Sequence, residues 1–194
     1  RQAEDHAEEL ARQSAAAVRI KEGKPLQLRF VLPAGPGSGQ LRAVAEQITG
    51  MLGEVGVGTA IVEVDAEDYF SDYITAGDFD LALYSWPASA YPATDARPLF
   101  AKPQSIPGGE LFIEQNYARV GTDHIDQLLD RAAGELDDDR RTELLNKADV
   151  RIWAAAGSVP LYQRPQLVAA KKDLAGVGAY GLQTPRYQDI GYRK

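Results

Sequence analysis

Hydrophobic positions along the chain change their period several times, and each change marks a new element. Residues 26–32 (LQLRFVL) place Leu26, Leu28, Phe30 and Leu32 at alternate positions, the pattern of a strand, and Pro33 ends it. A glycine-rich stretch, 34–39 (AGPGSG), comes next. Then Leu41, Val44, Ala45, Ile48, Met51, Leu52 and Val55 recur every three or four residues. That spacing predicts a helix with Ser38 as N-cap and Gly56 or Gly58 at its end. Residues 59–64 (TAIVEV) are β-branched and predict a second strand. Residues 67–76 predict a short helix with Tyr69, Phe70, Tyr73 and Ile74 on one side, closed by Gly77. Residues 79–86 (FDLALYSW) predict a third strand. The stretch 26–86 therefore reads β–α–β–α–β, with connections long enough for right-handed parallel crossovers in a doubly wound α/β fold.

The flanks differ. Residues 2–18 are rich in Ala, Glu, Gln and Arg and predict a helix, and 21–25 (KEGKP) a polar turn. Residues 87–119 have no period and hold five of the chain's 11 prolines, and a loop this long inside a compact domain is usually functional. Two helices are predicted next. The first spans 123–134, with Ile125, Leu128, Leu129 and Ala132 on one face. The second spans 138–156, with Leu144, Leu145, Ala148, Ile152 and Ala155. Asp137, Asp138 and Asp139 sit where the helix dipole favours negative charge. Residues 158–163 and 167–170 predict short strands, and 171–194, rich in Gly and Tyr, an irregular tail.

Composition narrows the chemistry. The 194 residues carry a net charge of −7, which argues against nucleic acid as a partner. Cysteine is absent, which excludes thiol catalysis, cysteine-ligated metals and disulfides. The two histidines, His6 and His124, fall in no metal-ligand spacing, so no metal, cofactor or catalytic residue is assigned. No apolar run approaches the roughly 18 residues of a membrane span. The chain begins at Arg1, and its one methionine is Met51, so it reads as part of a longer protein or a trimmed mature form.

Two segments draw attention as a site. Gly35-Pro36-Gly37-Ser38-Gly39 joins a strand to a helix, where backbone N–H groups can meet an anion. It is neither GxGxxG nor GxxxxGK[ST], and GxSxG also fails. Tyr84-Ser85-Trp86, followed by Ser89, Tyr91 and Asp95, lies at the predicted exit of the third strand. Open α/β sheets bind ligands beyond their C-terminal strand ends, where strand order reverses. If the strands take the order second–first–third, the 34–39 loop and the 87–95 loop flank one crevice. Trp86 then either walls a ligand or caps the core.

Several segments, in order over roughly residues 20–165, resemble the family 5 extracellular solute-binding proteins, receptors of bacterial ABC importers for peptides, dipeptides and nickel. Residues 21–26 (KEGKPL) are similar to the family's "dG-kpL". Residues 51–57 (MLGEVGV) are similar to "L-xx-iGI", and 77–86 (GDFDLALYSW) to "gdfDl-xxxgW". Asp126, Leu128 and Leu129 with Asp138 and Arg141 resemble "D-x-Ll … D-xx-R", and 159–162 (VPLY) "iPLy".

The resemblance implies one lobe of a type II periplasmic-binding-protein-like fold, three-layered, with a mixed, mostly parallel sheet. It implies an N-terminal helix over 1–20, the second, C-terminal lobe over 21–165, and a tail over 166–194 returning toward a first lobe. It further implies a non-enzymatic receptor that closes on a peptide-like or other small organic solute. Its partners would be a membrane permease and the first lobe of the same protein. It would sit in the periplasm or on the outer face of the cell membrane, lipid-anchored through residues upstream. The residues expected to meet ligand are Gly37, Ser38, Tyr84, Ser85, Trp86, Ser89, Tyr91 and, on the long loop, Tyr117. Peptide-binding members commonly carry, three residues after this Trp, an Asp that pairs with the ligand's α-amino group. Ser89 stands there, with Asp95 a poor substitute, so recognition of a free N-terminus is expected to be weakened. From the residues alone, two other classes stay open: an α/β enzyme using 35–39 as an anion site, and an interaction module docking a protein on its aromatic loop.

Overall fold

The computed structural model describes residues 18–87, 89–182 and 184–193. The helix expected over 2–18 falls, except for Val18, outside them. The chain forms two compact units that meet in sequence between Trp86 and Pro87.

The first unit is the predicted β–α–β–α–β run. A small hairpin precedes it, β1 (Ile20–Lys21) paired antiparallel with β2 (Lys24–Pro25). Its turn residues Glu22 and Gly23 both have positive φ, 53° and 77°, as a two-residue hairpin loop requires. Strand β3 (Gln27–Pro33) is central. It pairs in parallel with β4 (Gly58–Val64) from Gln27↔Gly58 to Pro33↔Val64, and with β5 (Leu81–Ala82) at Phe30↔Leu81 and Val31↔Ala82. The observed order, β4–β3–β5, is the expected second–first–third. Among the described residues this sheet is parallel, as expected of a mostly parallel α/β lobe, and the antiparallel pairs lie in separate two-residue hairpins.

Helix α1 (Gly39–Glu54) covers one face of the sheet, where Ala45 and Ile48 pack on Phe30, Leu32, Ile61, Leu81 and Leu83. Met51 and Val55, which belong to the same apolar stripe, stay exposed. The other face, where Val31 is buried, is covered by a π-helical turn, Tyr69–Ile74. Phe30, Val31 and Leu32 are therefore all buried, although alternation predicted one buried side: a parallel strand covered on both faces has no solvent side. The π winding also corrects the expected helix face. Tyr69 and Ile74, five residues apart, are buried, whereas Phe70 is exposed, because i→i+5 bonding such as Thr75 N–H to the Phe70 carbonyl (2.9 Å) shifts which positions face inward.

The third strand is much shorter than the expected 79–86, since the ladder covers only Leu81 and Ala82. Its start is held by side chains. The Arg29 N–H donates to Asp80 Oδ2 (2.7 Å), and the Arg29 guanidinium bonds the Asp78 carbonyl and carboxylate.

The second unit is built on α4 (Asp123–Gly134) and α5 (Asp138–Ala155), close to their predicted bounds. Thr122 and Asp137 cap them, accepting from Ile125 N–H (3.2 Å) and Arg140 N–H (2.8 Å). Ile125, Leu128, Leu129 and Ala132 bury against Leu144 and Ala148. The long 87–119 stretch contains α2 (Pro92–Asp95), α3 (Arg97–Phe100) and a hairpin of β6 (Gln104–Ser105) with β7 (Leu111–Phe112). Residues 157–172 are exposed and form neither of the expected strands at 158–163 and 167–170: among the described residues no strand pairs with them, and a β-prone run without a ladder stays irregular. The tail expected to be irregular instead holds a hairpin, β8 (Leu174–Ala175) with β9 (Gly191–Tyr192), the latter preceded by a 3₁₀ turn at Tyr187–Asp189.

Candidate functional site

In the first unit, the C-terminal ends of β3 and β5 lie side by side, so the glycine loop leaving β3 and the 83–86 segment leaving β5 emerge from the same edge of the sheet. The loop reverses direction at Gly35 and Gly37, with φ of 122° and 90°, values that L side chains rarely adopt. Ser38 occupies the N-cap position of α1, but its hydroxyl donates to the Gly35 carbonyl (2.8 Å) and makes no capping bond. The expected side-chain cap is absent: Ser38 already has helical backbone angles (φ −73°, ψ −17°) in place of the extended ones from which a side chain reaches back to cap. In the first turn of α1, Arg42 pairs with Glu63 (2.7 Å) and Glu46 (2.9 Å). The hydrogen bond to Glu63, then that to Glu46, hold its guanidinium pKa above the usual arginine value. That cation is thus neutralised beside the loop.

On the β5 side the chain is aromatic. Tyr84 is half-buried and Ser85 exposed. Trp86 keeps 38% of its surface exposed, so the indole is not sealed in the core. Its ring meets Tyr84 edge-on at 6.4 Å between centroids, and Tyr84 in turn meets Phe70 at 5.8 Å. Phe70 meets Tyr69 at 5.4 Å and 84°. Tyr69 lies almost wholly buried, and burial pushes its phenol up to about 12. Its hydroxyl lies within reach of the Leu83 carbonyl (3.1 Å), at the exit of β5, and of the Val31 carbonyl (3.4 Å), on β3, and donates to one of them at a time. This edge offers an indole, a phenol, a serine hydroxyl and glycine backbone. That set suits contact with a neutral or planar part of a ligand.

The other expected ligand residues lie in the second unit. Ser89 is half-buried, and its Oγ accepts the Tyr91 N–H (2.9 Å). Tyr91 precedes α2 with its ring exposed, and its carbonyl accepts from Thr94 Oγ1 (3.0 Å). Tyr117 is half-buried on the loop before α4, and its carbonyl accepts from Arg119 Nη1 (2.9 Å).

That loop is fixed by polar groups that the sequence pattern does not single out. Asn116, 1% exposed, donates through Nδ2 to the carbonyls of Ala101 (2.7 Å) and Val120 (3.0 Å), joining the two ends of the hairpin excursion. Arg97 pairs with Asp130 (2.7 Å) and Glu114 (2.9 Å). The bond to Asp130 is the main reason its guanidinium pKa is raised. Lys102 donates from Nζ to Asp123 (2.9 Å) and from its backbone N–H to Asp126 (3.0 Å). No periodicity marks these residues, since each acts on chain distant in sequence. His124 is exposed and lines a shallow groove with Thr122, Ile125, Arg151, Ala154 and Ala155. Among the described residues no group of three or more His, Asp or Glu is placed to hold a metal ion, and no helix is long and apolar enough to cross a membrane.

No family model matches the chain. It is, however, 30% identical over 193 residues to the oligopeptide-binding protein OppA of Mycobacterium tuberculosis. The match covers 100% of this chain and 31% of that protein, so the chain spans about a third of the length of its curated relatives. The fold matches that of Helicobacter pylori DppA, an ABC transporter-associated periplasmic binding protein in complex with the peptide STSA, with TM-score 0.69 and 19% identity. There 98% of this chain aligns with 34% of that one. The Thermus thermophilus oligopeptide-binding protein, complexed with a pentapeptide, matches with TM-score 0.64 and 19% identity over 81% of this chain and 28% of that one.

Proposed function

We propose that the chain is a segment of a family 5 solute-binding protein, the C-terminal lobe of an ABC-importer receptor that captures a peptide-like solute by closing a first lobe over it. The observation that carries this reading is similarity to an oligopeptide-binding protein along the full length of the chain. The open edge of the parallel sheet, where Trp86 stays exposed, supports it. The relatives are binding proteins, and this chain acts in the same way, without chemistry on its ligand. The boundaries we propose are a helix over 1–20, the lobe over 21–165 and the tail over 166–194. The exposed apolar run holding Val159, Leu161, Tyr162, Leu167 and Val168 is covered by the rest of the longer protein, because such a run left in water invites aggregation. The receptor works in the periplasm or on the outer face of the membrane, anchored by lipid through residues outside this chain, and delivers ligand to a permease.

In this reading Trp86 and Tyr84 wall the ligand. Ser85, Ser38 and Gly37 offer a polar edge beside them in the first unit, while Ser89, Tyr91 and Tyr117 are separate candidates for ligand contact within the second unit. Ser89 carries no charge, and its oxygen already accepts the Tyr91 N–H. It is ill suited to hold an ammonium group, so the receptor depends little on a free N-terminus.

Isothermal titration of the full-length receptor with di- to pentapeptides, free and N-acetylated, tests this. Binding of some of them, with free and acetylated forms within about tenfold of each other, is expected. Binding that requires the free amine overturns the role given to Ser89, and no peptide binding at all overturns the peptide reading.

A further inference from the structure

Trp86 lies four residues beyond the last ladder pair of β5, Val31↔Ala82, so the sheet's own pairing does not determine where the indole points. Past the end of the ladder, a side-chain hydroxyl takes over from backbone pairing. Tyr69 Oη is within hydrogen-bond distance of the Leu83 carbonyl at 3.1 Å and of the Val31 carbonyl at 3.4 Å. One phenolic proton serves one acceptor at a time, and the shorter contact favours Leu83. Tyr69 can stand in this place because the π-helical turn buries it against the middle of β3. From its ring, edge contacts run to Phe70 (5.4 Å, 84°), to Tyr84 (5.8 Å, 69°) and to Trp86 (6.4 Å, 75°). The first ring of this series is buried and its last is exposed. Edge-to-face geometry constrains each ring by the one before it.

We propose that Tyr69 is a positioning residue: by holding the Leu83 carbonyl and starting the aromatic series, it sets how Trp86 is presented at the edge of the sheet. Its meaning for ligand binding rests on the receptor reading above, whereas the positioning itself does not. Tyr69→Phe removes the hydroxyl and keeps the ring, and Phe70→Leu breaks the series without touching the hydroxyl.

The test labels the full-length receptor with 5-fluorotryptophan and assigns the Trp86 resonance by its loss in Trp86→Leu. Tyr69→Phe is expected to shift that resonance while leaving that of Trp153 in place, and Phe70→Leu to shift it as well. An unmoved Trp86 resonance in a folded Tyr69→Phe protein overturns the proposal. Should Tyr69→Phe fail to fold, an unmoved resonance in Phe70→Leu overturns it instead.

Titration with pentaalanine separates the two layers. Trp86→Leu is expected to weaken binding about tenfold and Tyr69→Phe about fivefold, the latter adding little in the Trp86→Leu background. Full additivity overturns the link from Tyr69 to ligand through Trp86. A Trp86→Leu receptor that binds pentaalanine like wild type counts against the ligand site at this edge, and leaves the positioning result intact.

Discussion

In the unit that ends at Trp86, order comes from a parallel ladder with apolar layers on both faces. In the unit that begins at Pro87, the helical pair α4–α5 is apolar, but the segment preceding it is held by Asn116, Arg97 and Lys102. The consequence for tolerance to change differs. A ladder spreads its support over many backbone bonds, so its weak points are large core side chains. A loop clamped by a few polar groups has few weak points, and the buried Asn116 amide is the chief one, because removing the donor strands two carbonyls at once.

The largest effect that would sharpen this contrast is Phe30→Ala, which empties the centre of the first unit. It is expected to cost about 3–5 kcal/mol in urea denaturation of the full-length receptor. Asn116→Leu is expected to cost about 2–3 kcal/mol and to raise hydrogen exchange across residues 101–120. A loss under about 0.5 kcal/mol would break the claim that the amide clamps the loop.

Alkaline stability ranks next. The Tyr69 phenol is raised by burial to about 12, so the unfolded chain, with the ordinary tyrosine value of about 10, gives up its proton first. Stability from this group is complete below pH 10 and falls as pH rises through about 12, by on the order of 2 kcal/mol in total. In Tyr69→Phe this part of the alkaline decline disappears, and pH-dependent thermal melts would show it. The smallest effect expected is that of Arg97→Met. Arg97 is about one-third exposed in two ion pairs, so the loss is below about 1 kcal/mol and shrinks further in added salt.

Gly121 belongs to the same contrast. A Cβ there would lie 2.7 Å from Lys102 Cα and 2.9 Å from its backbone nitrogen, so two backbone segments meet where only glycine fits. Nothing in the neighbouring sequence announces this. The motif residue Asp126 is legible as part of a helix, yet its acceptor role toward the Lys102 N–H arises only when the loop is folded against it.

Of the candidate site, the alternating strand and helix patterns put Gly37, Ser38, Tyr84, Ser85 and Trp86 just past the C-terminal ends of parallel strands, but only the observed order β4–β3–β5 makes those ends neighbours, since right-handed crossovers allow other orders too. The sequence pattern overestimated the third strand, since 79–86 is largely apolar and aromatic but only two of its residues find a ladder. It also took Ser38 as a cap, although its backbone is already helical there and its side chain makes no capping bond. Likewise, the run 158–170 has the composition of strands, and composition cannot supply a partner.

The alternation of strands and helices in the first unit, the bounds of α4 and α5, and the favourable place of Asp137 at the start of α5 are all legible in the amino-acid order. Each depends on residues close together in the chain, where period and capping chemistry act directly. Folding in three dimensions was needed to bury β3 on both faces, to bring the Tyr69 hydroxyl from a π-helical turn to the Leu83 carbonyl, and to tie Ala101 to Val120 through Asn116. Those outcomes depend on groups far apart in sequence, whose meeting leaves no period to read.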